Sequence, residues 1–299
     1  MGLLLPKNAK LIAQGITGSE GRVALPWMQK YGTKIVAGVT PGKGGQELSG
    51  VPVFDTVEKA VEKVGQVDGS VLFVPPMQVK KAVEEAIRAG IRFILIGAEK
   101  VPVADASAMY ELALKKGANI IGPSSVGLIS PSRKIKIGSI GGPNPDQVYK
   151  EGEIAVISKS GGMTSEIALH LGQHGFGISW AVGIGGERII CADFADFLLE
   201  LEKDFTTKAS VIFGELGGTY EERVAHLVRE KKIKKPVVAF IAGEFTETLP
   251  SNIQFGHAGA IIEGRSSRPS AKRKILAQSG ITVADDFDEI AELVKKVIV

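Results

Sequence analysis

One histidine stands among very small residues and is the first candidate for chemistry. His257 lies in the run GHAGA, with glycine or alanine on each side. A histidine packed for structure usually has bulky neighbours, whereas these neighbours leave room for a large group to approach the ring. Because neutral imidazole is a good nitrogen nucleophile at pH 7, the run indicates a candidate nucleophile.

A carboxylate would be a natural partner for such a ring. Glu215 ends the apolar run ASVIFGE and is followed by LGGTYEE. An acid at such a place is often a helix cap or a surface group. If Glu215 instead faces His257, it can fix the tautomer of the ring and support a positive charge on it. The sequence therefore predicts that His257 and Glu215 form a catalytic pair, provided that the fold brings the carboxylate to the ring.

Two further stretches have the composition of anion sites. ISKSGGMTSE runs from a predicted strand into a helix, so the Ser160 hydroxyl and the amides of Gly161 and Gly162 lie where an anion binds. QGITGSEG also joins a strand to a helix, and its glycines at positions 15, 18 and 21 form the pattern G-x-x-G-x-x-G. This differs from the dinucleotide pattern G-x-G-x-x-G, and no acidic residue for a ribose follows the second strand.

The second strand is followed instead by VTPGKGG, which places Lys43 on a turn. A cation there suits a phosphorylated ribose or a diphosphate better than NAD. The turn is not a nucleotide P-loop, because only three residues separate Gly38 from Gly42 and because Gly44 stands where Ser or Thr is required. The chain therefore either does not use ATP or receives a phosphoryl group from another polypeptide.

Regular elements must bring these loops together. Apolar β-branched runs alternate with amphipathic helices, as in KIVAGV, GSVLFVP and VKKAVEEAIRAG, and this alternation predicts parallel α/β sheets. In such sheets, chemistry is expected where loops leave the carboxyl ends of the strands. The loops VPPM, GAEKVP and GPSSVG then bring five residues to the mouth of the first sheet: Val74, Pro75, Glu99, Ser124 and Ser125.

A segment rich in Gly, Pro and Ser interrupts this alternation and predicts a division into two domains. We expect a first α/β domain over residues 1–130, a linker over 131–152 and a second α/β domain over 153–299. Helices of the second domain are expected to begin near Gly161, Asp193, Thr219 and Arg268.

The composition narrows the function classes. The 299 residues carry 36 basic and 33 acidic side chains, and the net charge of +3 is too small to indicate nucleic acid or a membrane surface as a partner. A single cysteine, Cys191, excludes an internal disulfide framework and fits a reducing compartment. The apolar run in MGLLLPKNAK is too short for a signal peptide, so we expect a cytoplasmic protein.

The remaining histidines do not predict a metal site. His170 and His174 are four residues apart near the end of a helix, but no third ligand accompanies them. We interpret both as structural residues, and His226 as a residue on a helix surface.

Seven motifs, in order and spread over essentially the whole length, resemble the α subunit of succinyl-CoA synthetase and related acid-CoA ligases. They are GITGSEG, GVTPGKGG, PVFDTVEKAV, IIGPSSVGLISP, VGIGGERI, GELGGTYEE and GHAGAIIEG. The resemblance implies a Rossmann-like CoA-binding domain followed by a flavodoxin-like parallel α/β domain. It implies that His257 becomes phosphorylated, that Glu215 supports it, and that Ser160, Gly161 and Gly162 begin the helix whose dipole stabilises the phosphate.

The same resemblance implies which residues hold coenzyme A. They belong to loops of the first domain: Thr17, Gly18, Ser19, Glu20, Lys43, Val74, Pro75 and Glu99. ATP and Mg²⁺ would bind to a larger β-type subunit with an ATP-grasp domain. We therefore expect this chain to be catalytically incomplete when alone.

The motifs resemble two kinds of enzyme that differ in the acid they use. Succinyl-CoA synthetases generally have SRSGTLTYE and GKRMGHAGA where this chain has SKSGGMTSE and NIQFGHAGA. These variants, together with KIGSIGG, look like the corresponding part of ATP-citrate lyase. Gly162 in place of a threonine frees a helix amide and leaves room for a larger, more highly charged acid such as citrate.

We therefore expect a citryl-CoA synthetase small subunit. Because the sequence ends at Val299, before a citryl-CoA-cleaving domain, citryl-CoA is the expected product. The α subunit of succinyl-CoA synthetase, with succinate as the acid, is the alternative. Two other classes are also considered: an NAD-dependent dehydrogenase and a non-catalytic CoA-binding protein.

Overall fold

Two seven-stranded sheets, each covered by helices, make up the fold. The structure is a computed structural model that describes residues 2–249 and 253–298. Met1 and Val299, which begin and end the predicted domains, and Asn252, which begins the motif NIQFGHAGA, lie outside the described residues. The prediction of an α/β fold with two parallel-type sheets is confirmed.

The first sheet has the strand order β3-β4-β2-β1-β5-β6-β7 and is parallel except where β3 meets β4. Its elements, in chain order, are β1 (Lys10–Gln14), α1 (Ser19–Tyr31), β2 (Lys34–Val39), β3 (Glu47–Leu48), β4 (Val51–Phe54), α2 (Val57–Val64), β5 (Gly69–Leu72), α3 (Val79–Arg88), β6 (Phe93–Ile96), α4 (Val103–Lys116) and β7 (Asn119–Ile121). The central strands β5 and β6 are buried along their whole length, as expected of parallel strands with helices on both faces.

The second sheet has the order β14-β13-β12-β10-β11-β8-β9. Its elements are β8 (Gly127–Ser130), β9 (Ile135–Gly138), β10 (Glu151–Ser158), α5 (Gly161–Gln173), β11 (Ile178–Gly183), α6 (Phe194–Leu201), β12 (Ala209–Glu215), α7 (Tyr220–Arg229), β13 (Val237–Ala242), α8 (Pro269–Gln278), β14 (Thr282–Val283) and α9 (Ile290–Val297). Helices α5 to α8 begin at or directly after the four expected residues.

Strands β8 and β9 extend the second sheet across the predicted domain boundary. β8 pairs antiparallel with β11, and β9 pairs antiparallel with β8. The range 131–152 therefore contains β9 and the start of β10, where the sequence predicts a linker. The strand is hard to detect because a lysine, Lys136, interrupts its short apolar run, although that side chain is fully buried. The domain limits 1–130 and 153–299 stay predictions.

Strand β9 also joins the two halves of the molecule. Thr33, which follows α1, donates its hydroxyl to the Lys136 carbonyl at 2.7 Å and accepts the Lys136 amide at 2.9 Å. The Lys136 ammonium donates to the Gly138 carbonyl at 3.1 Å and lies 5.6 Å from the Trp27 ring centre. Burial lowers the pKa of Lys136 to about 8.

Each sheet has one place where the chain reverses its direction of strand addition. In the first sheet this point lies between β1 and β5, and in the second between β10 and β12. Loops that leave the carboxyl ends of such strand pairs diverge and form a crevice. These four loops carry most of the candidate residues.

Candidate active site

A cavity of about 800 Å³ lies between loops of both halves of the molecule. Ten of the predicted site residues line it: Gly18, Ser19, Glu20, Val74, Pro75, Glu99, Ser160, Gly161, Gly162 and His257. Ser124 and Ser125, expected at the mouth of the first sheet, line it as well. The carboxyl ends of strands from two separate sheets thus open into one volume.

Glu215 lies behind the histidine ring. His257 Nδ1 is 3.0 Å from Oε1 and 2.9 Å from Oε2 of Glu215. An ionised carboxylate only accepts hydrogen bonds, so Nδ1 carries the proton and donates it. In the neutral ring the second nitrogen, Nε2, then holds the free lone pair. The carboxylate is nearly buried, whereas about a third of the histidine side chain is exposed.

The pair changes the acidity of both groups. The hydrogen bond that the ring donates to Glu215 and the charge of that carboxylate raise the pKa of His257, although burial and the charge of Lys159 act in the opposite direction. Burial by itself would raise the pKa of Glu215, but the hydrogen bond from His257 and the nearby Lys159 ammonium hold that pKa below its usual range. Glu215 is therefore an anion at neutral pH.

Lys159 is a site residue that sequence reasoning missed. It directly follows β10, its side chain is 1% exposed, and its Nζ lies 3.3 Å from Glu215 Oε1. The ammonium also lies 5.7 Å from the centre of the Tyr220 ring, and the residue lines the cavity. One signal was present in the sequence: a lysine between a central strand and a helix start, where no solvated surface is expected.

Glycine backbone packs against the histidine ring and against the turn that carries it. A Cβ on Gly186 would lie 2.4 Å from His257 Cγ, so the ring packs directly on this backbone. The amide of Gly259 donates to the Gly186 carbonyl at 2.8 Å. Gly217 has a φ of +85°, and a Cβ there would lie 2.0 Å from the Gly259 carbonyl oxygen. The small residues around His257 thus allow close packing of backbone on backbone, a role the sequence did not reveal.

The first turn of α5 lines the same cavity as this ring. Ser160 caps the helix, its Oγ accepting the amide of Met163 at 3.4 Å. Gly161 cannot easily be larger, because a Cβ would lie 2.8 Å from the Val126 side chain. A Cβ on Gly162 would meet only Ser160 Oγ, at 3.9 Å. Space therefore exists at Gly162, where helix amides and the helix dipole favour an anion.

Two of the residues predicted to hold coenzyme A lie outside the lining of the cavity. Thr17 packs beside it and contacts the Thr40 hydroxyl at 3.2 Å. Lys43 is exposed on its turn, which Asp55 shapes by accepting the amides of Gly42 and Gly44, each at 2.9 Å. Lys43 and the loop after β1 both follow the carboxyl ends of neighbouring parallel strands.

The other histidines and the cysteine lie away from the cavity. His174 Nδ1 is 2.9 Å from the His170 carbonyl oxygen, and His226 is exposed and lies 3.2 Å from Glu230 Oε1. Burial raises the pKa of the Cys191 thiol to about 12. In the part of the chain that the structure describes, no group of three or more His, Cys, Asp or Glu side chains is arranged to hold a metal ion.

Across residues 2–249 and 253–298, no helix has both the length and the apolar character that crossing a membrane requires.

Comparison with known proteins assigns the class. Residues 6–100 match the CoA binding domain, and residues 151–297 match the succinyl-CoA ligase like flavodoxin domain. Subunit alpha 2 of the ADP-forming succinate-CoA ligase of Archaeoglobus fulgidus is 44% identical over 298 residues, 100% of each chain. Subunit SqwL of an ADP-forming sulfoacetate-CoA ligase from an Acholeplasma species is 39% identical over 297 residues, 99% of this chain and 98% of that one. The chain therefore belongs to the α-subunit family of succinate-CoA ligase and related ADP-forming CoA ligases.

A solved structure extends the similarity to a different enzyme. ATP citrate lyase from Methanothrix soehngenii, in complex with citrate and coenzyme A, matches with a TM-score of 0.90 and 28% identity. The match covers 99% of this chain and 50% of that chain, so this chain spans about half the length of the lyase.

Proposed function

We propose that this chain is the α-type subunit of an ADP-forming acid-CoA ligase that works through a phosphorylated His257. The observation that carries the proposal is the His257–Glu215 pair at 2.9 and 3.0 Å, whose histidine lines the cavity together with the first turn of α5. With Nδ1 bonded to Glu215, Nε2 is the ring nitrogen left to react, and the carboxylate holds a negative charge next to the ring. A charge that forms on the ring during phosphoryl transfer is stabilised without rearrangement.

The reaction divides into three balanced displacements. Nε2 of His257 attacks the terminal phosphorus of ATP, the P–O bond to ADP breaks, and the resulting cationic ring is stabilised by Glu215. A carboxylate oxygen of the acid then attacks the same phosphorus, the N–P bond breaks, and the ring leaves as neutral imidazole. Finally the sulfur of coenzyme A attacks the acyl carbon, phosphate leaves, and the thiol proton passes to solvent. Splitting one difficult step in this way lowers each barrier.

We assign coenzyme A to the part of the cavity that loops of the first sheet line. The wall there consists of the uncapped N-terminus of α1 and the loop after β5, with Gly18, Ser19, Val74 and Pro75 at the surface. The helix terminus suits a phosphate group, and the apolar loop suits the pantetheine chain. Membership of the CoA ligase family favours this ligand over the NAD of a dehydrogenase. ATP and Mg²⁺ are assigned to a larger β-type partner with an ATP-grasp domain.

Citrate is the acid that we propose. The space beside Gly162 and the free helix amides favour a large, highly charged acid, and the chain resembles half of a lyase that was solved with citrate. The product would be citryl-CoA. Succinate is the second candidate, because the similar proteins of Archaeoglobus fulgidus are named succinate-CoA ligase subunits.

Mass spectrometry of the chain mixed with its β-type partner, ATP and Mg²⁺ tests the phosphohistidine. We expect an acid-labile phosphate on the wild-type chain and none on His257→Asn. His226→Asn, which changes an exposed histidine outside the cavity, is the matched control and should be phosphorylated normally. Phosphate that also forms on His257→Asn would contradict the mechanism. A chain that is never phosphorylated but binds coenzyme A would instead support a non-catalytic CoA-binding protein.

Release of ADP by the reconstituted pair tests the acid. Citrate, succinate and sulfoacetate are compared at equal concentration with wild type and Gly162→Thr. We expect wild type to prefer citrate, and the threonine to lower the activity with citrate more than that with succinate. Preference for succinate, with citrate inert, would reject citrate and leave the phosphohistidine mechanism in place.

A further inference from the structure

The Glu215 carboxylate has two cationic neighbours, although only one of them is the candidate nucleophile. His257 Nδ1 lies 2.9 Å from Oε2, and the Lys159 ammonium lies 3.3 Å from Oε1. Lys159 and Glu215 are buried, with side chains 1% and 11% exposed. Since an unpaired ammonium is costly inside a protein, the lysine needs this carboxylate as its counter-ion.

Sharing the carboxylate changes the state of the ring. A buried glutamate that faced His257 alone would strongly favour the protonated imidazolium, which has no lone pair with which to attack phosphorus. The Lys159 ammonium neutralises part of the same negative charge, and it also repels a positive charge on the ring. Both effects favour neutral imidazole, while the hydrogen bond from Nδ1 to Glu215 is kept.

We propose that Lys159 is a positioning residue, which shares the Glu215 carboxylate with His257 and thereby shifts the ring toward its neutral, nucleophilic form. The catalytic importance of a neutral ring rests on the function proposed above. The effect of Lys159 on the protonation of the ring is independent of that function, because it can be measured on this chain with no partner and no substrate.

The other charged groups around the ring do not duplicate this role. Glu99, in the loop after β6, acts in the opposite direction and favours the imidazolium. Lys272, on α8, lies 2.8 Å from the Glu221 carboxylate on α7, so its charge is largely balanced by its own partner. The Tyr220 ring contacts the Lys159 ammonium and carries no charge near neutral pH, because burial raises the pKa of Tyr220 to about 12. Lys159 is thus the cation that the His257–Glu215 pair shares.

The test is an NMR titration of the full chain with isotope-labelled histidine rings. The chain has four histidines, so comparison with His257→Asn assigns the signal. We expect the His257 ring of Lys159→Met to titrate at a higher pH than that of wild type. We expect the ring of Glu215→Gln to titrate at a lower pH. Lys159→Arg, which keeps the positive charge, should titrate close to wild type.

The opposite directions separate this role from a merely structural one. A general loss of packing would expose the ring and move its titration toward the ordinary histidine value in both variants. A titration in Lys159→Met that is unchanged or moved to lower pH would overturn the proposal. If that variant does not fold, Lys159→Gln, which keeps a donor to Glu215 without the charge, takes its place with the same expected direction.

The rate of His257 phosphorylation by the β-type partner and ATP gives a second readout. In Lys159→Met we expect the fall in rate at acidic pH to begin at a higher pH than in wild type, in step with the titration of the ring. If the ring shifts as expected but wild type is never phosphorylated, the proposed function fails and the role of Lys159 in ring protonation stands.

Discussion

At the scale of single residues, the site depends on its glycines as much as on its charged side chains. His257 packs on the bare backbone of Gly186, and the turn that carries it packs on Gly217. A ring that packs on backbone, in a turn that itself packs on backbone, has little freedom, and its Nδ1 stays within hydrogen-bond distance of Glu215. Such orientation matters because transfer reactions lose rate steeply when a reacting atom is displaced.

Gly186→Ala is expected to displace the ring. The added Cβ would lie 2.4 Å from His257 Cγ, so the loop must move, at a cost of about 1–3 kcal/mol in the free energy of unfolding. A displacement of about 1 Å would reduce the rate of His257 phosphorylation roughly 100-fold. Urea unfolding and a phosphorylation time course measure the two effects.

Gly172→Ala is the matched control, because a Cβ there has no atom within 4 Å. It lies in the last turn of α5, where alanine should stabilise the helix by at most about 1 kcal/mol and leave phosphorylation unchanged. Equal rates of His257 phosphorylation for wild type and Gly186→Ala would show that the reaction does not depend on the packing of the ring on Gly186.

The sequence predicted which residues were candidates better than it predicted how they meet. His257 stood out through its small neighbours, and Glu215 through its place at a strand end. Lys159 was missed because ISKSGG was interpreted through its serine and glycines as an anion site. Only the strand order, with β10 beside β12, brings the lysine and the carboxylate together. No pattern within a single stretch of sequence contains that neighbourhood.

At the scale of elements, helix α8 holds the end of β12 in place. The Lys272 ammonium, almost fully buried, donates to the Glu215 carbonyl at 2.8 Å and to the Gly217 carbonyl, and it pairs with Glu221 at 2.8 Å. One side chain thus connects the helix after the histidine loop with the strand that carries Glu215. Burial lowers the pKa of Lys272, although Glu221 opposes this effect.

Lys272→Met is expected to destabilise the protein strongly. It leaves the fully buried Glu221 carboxylate without a counter-ion, and breaking a buried pair costs about 3–5 kcal/mol. The double variant Lys272→Met, Glu221→Leu removes both charges and should regain a large part of this loss. Urea unfolding of both variants and wild type checks the prediction. A single variant within about 1 kcal/mol of wild type would mean that the pair contributes little.

The elements themselves divide into those that the sequence revealed and those that it hid. The long parallel strands and the starts of α5 to α8 were predicted, because uninterrupted β-branched runs and helix-capping residues are local signals. The pairs β3–β4 and β8–β9 and strand β14 were not predicted. β3 and β14 have two residues each and β9 has four, so their length does not distinguish them from loops.

At the scale of the whole molecule, the cavity exists only because the two sheets are fixed relative to each other. The Thr33 contact with β9 is one connection. The Lys100 amide, which donates to Glu187 at 2.6 Å, is another and lies next to the cavity. Coenzyme A and the phosphoryl group would therefore meet at a junction that neither half forms alone.

We expect the isolated full chain to bind coenzyme A but to form no thioester from ATP, acid and coenzyme A. Binding to the folded state should stabilise the chain by about 2.7 kcal/mol at a ligand concentration of 100 times Kd. Thermal unfolding measures this effect, with NADH as the matched control that should leave the transition unchanged. Stabilisation by NADH but not by coenzyme A would favour a dehydrogenase. Thioester formation by the chain alone would reject the need for a partner.

The single cysteine has a consequence for a protein that handles a thiol substrate. Exchange between a thiol and a disulfide requires the thiolate, and burial, which raises the pKa of Cys191 to about 12, keeps this thiol protonated at neutral pH. Cys191 should therefore react only very slowly with the disulfide of oxidised coenzyme A or with a mixed disulfide of coenzyme A. The reactive thiol in the complex is therefore that of coenzyme A. A thiol-specific reagent should label a cysteine introduced on the surface and react little with Cys191.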